Sequence, residues 1–294
     1  FCYEGGKSWT NCGKIADVRS ISGLVSFNGK LYAGTGTTGA WRDTPRHRGM
    51  YRFDGIGKWT DCGCPDLRVV HLGVHDGDLF GLSYDAGGFF RYRGGKDWQR
   101  LGPVPDSTQA YSMAIYQGRL RVGTWPTGTV FTFDTPQKWT NSGRLGMEKE
   151  VMGMAVYNGK LYAGTLPVAD VYRFDGGVKW TSVGQLDKTP KVRYRRAWTM
   201  AVYDGKLFCG TLPSGHVLSV EAGKCATYDH ALPSGWHHLA AVKTKDRLQI
   251  YLDGKRVAQS TSFKPGQYNL RTMQPLKIGF GQHDYFNGKM RDVR

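Results

Sequence analysis

One passage recurs along the chain, and its period limits what the chain can fold into. The clearest copy runs from Val151 to Thr165 through a turn at Asn158-Gly159, then from Val171 to Thr181 through Trp180. The turn glycine returns as Gly29, Gly77, Gly118, Gly159 and Gly205, at intervals of 48, 41, 41 and 46 residues. Each copy reads as four short strands. The first is apolar on both faces, as in Tyr111 to Tyr116, and the second follows the turn, as in Lys30 to Gly34 or Lys206 to Gly210. The third alternates, as in Met50 to Phe53, and the fourth opens with Trp59, Trp98, Trp139 or Trp180. Asn-Gly and Asp-Gly pairs tolerate the positive backbone angles of tight hairpins. No stretch of a dozen residues has helical periodicity. One such sheet cannot bury its own two faces, so the copies must stack around an axis.

The expectation is therefore an all-β chain: a β-propeller of about six blades, made of five full repeats plus a partial or composite blade. The turn between strands three and four has a fixed spacing. Asp175 precedes Trp180 by five residues, as Asp134 precedes Trp139, Asp54 precedes Trp59 and Glu4 precedes Trp9, while Arg93 and Trp98 keep the spacing without the acid. These turns resemble the Asp-box of sialidase-type propellers, without its usual hydroxyl residue two before the Asp, and the repeats are kelch-like. The resemblance implies scaffold: the carboxylate takes backbone N–H groups two residues on, and the Trp covers the sheet.

After Cys225 the pattern changes. Trp236-His237-His238-Leu239-Ala240 leads to Leu248-Gln249-Ile250-Tyr251-Leu252-Asp253-Gly254, and Gly288 to Arg294 closes the chain. This order resembles the second half of a laminin-G-like, concanavalin-type sandwich. It implies a propeller over 1–231 and a partial laminin-G-like segment over 232–294. The alternative is that 236–258 supplies the first two strands of the blade begun by Phe1 to Gly13 and closes the ring, which removes open sheet edges. The chain starts inside one motif and ends inside another, and it reads as a piece of a longer protein.

Forty Lys and Arg against 24 Asp and Glu give a formal charge of +16, which attracts polyanions. No nucleic-acid motif accompanies that charge, and no apolar run approaches the length of a transmembrane helix. The six Cys allow bridges such as Cys2–Cys12 or Cys209–Cys225 in an oxidising compartment, and equally allow free thiols. An extracellular or cell-surface location is expected from the laminin-G resemblance.

In a propeller the loops from strand four to the next strand one, and from strand two to strand three, share one face around the channel mouth. The first set carries Asp17, Asp66, Asp106, Glu148, Asp187 and Asp229, with Asp17-Val18-Arg19 and Asp66-Leu67-Arg68 able to pair internally. The second carries Thr124-Trp125-Pro126, Thr165-Leu166-Pro167 and Thr211-Leu212-Pro213. Two basic clusters break the repeat: Trp41-Arg42 with Arg46, and Arg193 to Arg196 beside Trp198. Trp41, Arg42, Arg46, Trp125, Arg195, Arg196 and Trp198 are the expected ligand-binding residues, with rings stacking on sugar faces and Arg forking onto carboxylate or sulfate. The expected role is a secreted, non-catalytic module for acidic or sulfated polysaccharide or an extracellular protein, without cofactor or metal. One alternative is a glycoside hydrolase or sialidase-like enzyme using Glu148, Glu150, Asp106 or Asp187, since glycosidases need two carboxyls across a cleft. The other is a kelch-type protein–protein scaffold.

Overall fold

A computed structural model of the protein describes residues 1–16, 18, 20–36, 49–268, 278, 279, 286 and 288–294. Among them there is no α-helix, and the strands follow the repeat. A two-stranded hairpin comes first, β1 (Cys2–Gly5) and β2 (Ser8–Thr10). Four four-stranded sheets follow. Unit one holds β3 (Ser20–Phe27), β4 (Lys30–Gly36), β5 (Gly49–Gly55) and β6 (Lys58–Asp61). Unit two holds β7 (His71–His75), β8 (Asp78–Leu82), β9 (Gly88–Gly94) and β10 (Asp97–Pro103). Unit three holds β11 (Gln109–Tyr116), β12 (Arg119–Trp125), β13 (Thr129–Thr135) and β14 (Lys138–Arg144). Unit four holds β15 (Glu150–Tyr157), β16 (Lys160–Leu166), β17 (Asp170–Gly176) and β18 (Lys179–Gln185). The fifth unit has three strands, β19 (Arg196–Tyr203), β20 (Lys206–Leu212) and β21 (Val217–Val220). The fold is thus the expected all-β propeller type, but the fifth repeat stops one strand short. Ala226 stands where the other units have Trp, so a fourth strand there has no ring with which to bury itself.

The first-to-second-strand turns have the geometry their residues imply. Asn158 and Gly159 lie at φ 47° and 73°, and Asp204 and Gly205 at 46° and 68°. The Gly-Thr pair near the end of the second strand in units one, three, four and five has two structural duties. A Cβ on Gly164 would lie 2.4 Å from the Ala197 carbonyl oxygen of the next unit, so glycine permits the inner strands to approach. The neighbouring hydroxyls pin the loop ahead: Thr124 donates to the Thr129 carbonyl at 2.9 Å and Thr165 to the Asp170 carbonyl at 2.8 Å.

Strands three and four carry a cross-strand aromatic pair in every unit that has both. Tyr3–Trp9, Phe53–Trp59, Tyr92–Trp98, Phe133–Trp139 and Phe174–Trp180 have ring centroids 4.9, 5.0, 5.1, 5.2 and 5.0 Å apart. From Trp59 onward the indole also reaches the preceding unit. Trp98 donates to the Cys62 carbonyl at 2.9 Å, Trp180 donates to the Ser142 carbonyl at 2.8 Å, and Trp139 meets Phe89 at 5.2 Å. The acid five residues earlier does not bind turn N–H groups as expected. Asp54 accepts from Arg52 Nε at 2.8 Å and from the Thr60 hydroxyl at 2.5 Å, and Asp175 does the same with Arg173 and Thr181. A charged fork plus a hydroxyl outcompetes a lone backbone amide. The amide-locking role belongs instead to Asn11, Asp61 and Asn141, which accept from Gly13, Gly63 and Gly143 N–H at 3.0, 2.8 and 2.7 Å.

The tail forms its own antiparallel sheet, β22 (Leu239–Lys243), β23 (Leu248–Leu252) and β24 (Lys255–Gln259). Among the described residues, β23 lies between β22 and β24 and β1 pairs with β2 alone, so no strand of 236–258 is paired with the first hairpin as a composite blade requires. The Trp-His and Asp-Gly motifs meet here: Asp253 accepts from His237 Nδ1 at 2.7 Å and from the His238 N–H at 2.8 Å. No disulfide joins any of the six cysteines, so neither Cys2–Cys12 nor Cys209–Cys225 is bridged.

Two outcomes follow for stability. Trp180→Ala is expected to destabilise the protein by about 3 kcal/mol in denaturant unfolding, because it empties a packed position between two sheets. The Asp253 hydrogen bond, then the Ser234 carbonyl, raise His237 above its ordinary pKa, while Asp253 itself is lowered. The pair's stabilisation is therefore lost as pH rises through the raised His value and lost as pH falls through the lowered Asp value. By NMR, His237 is expected to titrate above about 6.5, and Asp253→Asn to return it to that range.

Candidate functional site

The first strands share an irregularity that the sequence pattern does not reveal. The β3, β11, β15 and β19 registers each slip by one residue, at Ser22, Tyr111, Met152 and Trp198. Such bulges re-aim a side chain out of the alternation. Two of these residues, from units three and five, meet: the Tyr111 and Trp198 rings are 6.2 Å apart. Tyr84, between β8 and β9 of unit two, lies 5.6 Å from Tyr111. An open row of sheets would hold these units apart, so the contacts require the units to curve around a common axis.

Around this point the half-buried Trp125 and Tyr194 rings pair at 6.4 Å, and Arg196 lies over both Tyr194 and Trp198, at 5.8 and 5.5 Å. Exposed Arg193 lies 5.0 Å from the Tyr194 ring. Arg68 covers Tyr84 at 4.2 Å and forks onto Asp85 with bonds of 2.9 and 3.1 Å, rather than onto Asp66 within its own loop. Glu150, the first residue of β15, is buried, and its Oε1 has no hydrogen-bond partner. Burial pushes its carboxyl up to about 7, against the opposing charge of Arg196. Tyr111 is raised to about 12 by burial first and then by the Glu150 charge.

The expected residues divide clearly. Trp125, Arg196 and Trp198 come together at this mouth with Glu150. Arg195 does not join them: its Nε donates to the Thr189 carbonyl at 2.6 Å, and its backbone N–H to the Pro167 carbonyl at 2.8 Å. Trp41, Arg42 and Arg46 lie outside the described residues. Glu148 and Glu150 do not act as a matched pair, because Glu148 accepts from the Val168 N–H at 3.3 Å within its own unit. Asp187 ties units four and five, accepting from the Thr189 N–H at 2.8 Å and the Ser214 N–H at 3.0 Å. Burial alone would raise the Asp187 carboxyl, but these bonds outweigh it and hold it well below the usual range. Asp106 sits at an exposed turn with φ 50°. Tyr84 and Tyr111 are mouth residues that the sequence pattern did not single out.

A laminin-G-type model, described as the concanavalin A-like lectin/glucanases superfamily, matches residues 212–294, so the C-terminal segment is laminin-G-like. The match begins before β21, which nonetheless pairs with β20 of the fifth unit. No curated protein matches the chain. Among solved structures, the chain is similar to the extracellular domain of a one-component-system protein from B. thetaiotaomicron, at 16% identity and TM-score 0.50 over 84% of this chain and 31% of that one. It is also similar to a chain of a nidogen/laminin complex, at 11% identity and TM-score 0.50 over 68% of this chain and 75% of that one. Virginiamycin B lyase from Staphylococcus aureus aligns at 13% identity and TM-score 0.46 over 83% of this chain and 95% of that one. At these identities the likeness is one of fold.

The buried carboxyl gives a measurable signature. A carboxyl raised on folding favours the protonated folded state, so stability falls as pH rises from the unfolded value toward about 7. Glu150→Gln is expected to stabilise the protein at pH 8 by on the order of 1–3 kcal/mol, read as a higher melting temperature, and to change its stability little at pH 4.

Proposed function

We propose that the protein is a secreted binding module that recognises acidic polysaccharide at the channel mouth. The observation that carries this reading is the convergence of Tyr84, Tyr111, Trp125, Tyr194 and Trp198 with Arg193 and Arg196 on one partly open surface. Aromatic faces stack on the C–H faces of sugars, and guanidinium groups fork onto carboxylate or sulfate oxygens. The net charge of +16 adds long-range attraction for a polyanion. The laminin-G-like tail supports an extracellular setting. Among the described residues, no helix is long and apolar enough to cross a membrane.

A second reading rests on one residue. Glu150 is a buried carboxyl with a pKa near neutrality and a free oxygen, the condition a general acid or base needs. Asp85, the carboxylate next to Tyr84, is committed to Arg68, which weighs toward binding rather than two-carboxylate hydrolysis.

Binding to immobilised sulfated and uronic-acid polysaccharides separates the readings. Arg196→Ala is expected to weaken binding about tenfold and Trp198→Ala similarly, while Arg195→Ala, whose side chain is turned into its own loop, has a smaller effect. Affinity should fall as salt rises. It should also fall as pH rises through about 7, where Glu150 ionises and repels an anionic ligand. Turnover of glycosides that disappears in Glu150→Gln would establish the enzymatic reading instead.

A further inference from the structure

Five clusters of buried side chains join successive sheets among the described residues. Four of them include an indole from a fourth strand: Trp59, Trp98, Trp139 or Trp180. The fifth, between units four and five, has none. Gly223-Lys224-Cys225-Ala226-Thr227 follows Gly6-Lys7-Ser8-Trp9-Thr10 with Cys225 in the place of Ser8 and Ala226 in the place of Trp9. No strand lies between β21 and β22 to cover the opening.

The position the ring would occupy is a groove of about 300 Å³, lined by Val171, Val183, Leu186, Leu207, Cys209 and Leu218. That volume is at the lower end of ligand-sized cavities, which run from roughly 300 to 1,000 Å³. Its lining is apolar because, in units two to four, the same residue positions enclose an indole. One polar feature is carried over as well. Val183 holds, in unit four, the place that Cys62 and Ser142 hold in units one and three, as the third residue after the fourth-strand Trp. The carbonyls of Cys62 and Ser142 accept the indole N–H of Trp98 and Trp180.

We infer that this groove binds a small planar aromatic molecule with one N–H donor, of the indole type. The ligand lies where the missing tryptophan ring would lie. Its faces pack between the fourth and fifth sheets, and its N–H donates to the Val183 carbonyl. This site is separate from the channel mouth and does not depend on what the mouth binds.

The test is calorimetric titration of the whole chain with indole and with N-methylindole, which has the same shape but no donor. Saturable indole binding is expected, with a Kd on the order of 0.1–1 mM for so small a ligand. N-methylindole should bind about tenfold more weakly, for loss of one hydrogen bond. Val183→Glu changes a partly exposed lining residue and should reduce indole binding more than tenfold, while polysaccharide binding at the mouth is unchanged. Ala226→Trp supplies the ring internally and should abolish indole binding. Absence of saturable indole binding, equal affinity for the two ligands, or undiminished binding by folded Val183→Glu would each overturn the inference.

Discussion

The fourth-strand indole makes separate sheets into one body. Each sheet is too small and too apolar to stand in water alone, and hydrogen bonding satisfies it only within its own plane. The Trp faces an aromatic residue on strand three at about 5 Å, which fixes the outer hairpin. The same ring then crosses to the preceding sheet, and two of the indoles place their N–H on its carbonyls. One residue therefore provides cross-strand pairing, apolar burial and a polar latch. Where it is absent, the fifth unit loses its last strand and leaves a groove.

Much of this was legible in the sequence because repetition exposes what is structural. The turn glycines, the Gly-Thr pairs and the Trp positions recur at a regular spacing, and the structure gives each a local cause. The spacing locates the Asp of the third-to-fourth-strand turn but not its partner. Its bond goes to the Thr after the Trp, across the hairpin, and turn spacing alone cannot distinguish an amide from a hydroxyl. The composite blade was equally reasonable on sequence, since His237 to Leu252 has two strands at a suitable gap. A third strand, Lys255–Gln259, takes the β23 edge that closure would have needed.

The mouth was only half visible. Arg196 and Trp198 stand out because they belong to a cluster that interrupts the repeat, and Trp125 because it is the aromatic member of the recurrent Thr-apolar-Pro loops. Tyr111 did not, because it begins an ordinary apolar strand, and only the one-residue slip after Ala110 turns it out of the alternation. Tyr84 reaches the site from the strand-two-to-strand-three loop of unit two, at the place Trp125 holds in unit three, but without the Gly-Thr and Pro that mark that loop in units three to five. Glu150 looked like a partner for Glu148 two residues earlier. The structure separates them: Glu148 serves its own loop, while Glu150 is buried beside rings and opposite a guanidinium.

The curvature that brings units two, three and five together is the premise on which the mouth depends. Aromatic proton contacts test it most directly. In a NOESY spectrum of the intact protein, the Tyr111 and Trp198 rings, 6.2 Å apart between centroids, should give a cross-peak that Trp198→Ala removes. Absence of that contact, with Trp198 showing the shifts of a fully solvated indole, would mean that the sheets run in an open row and that the mouth does not form.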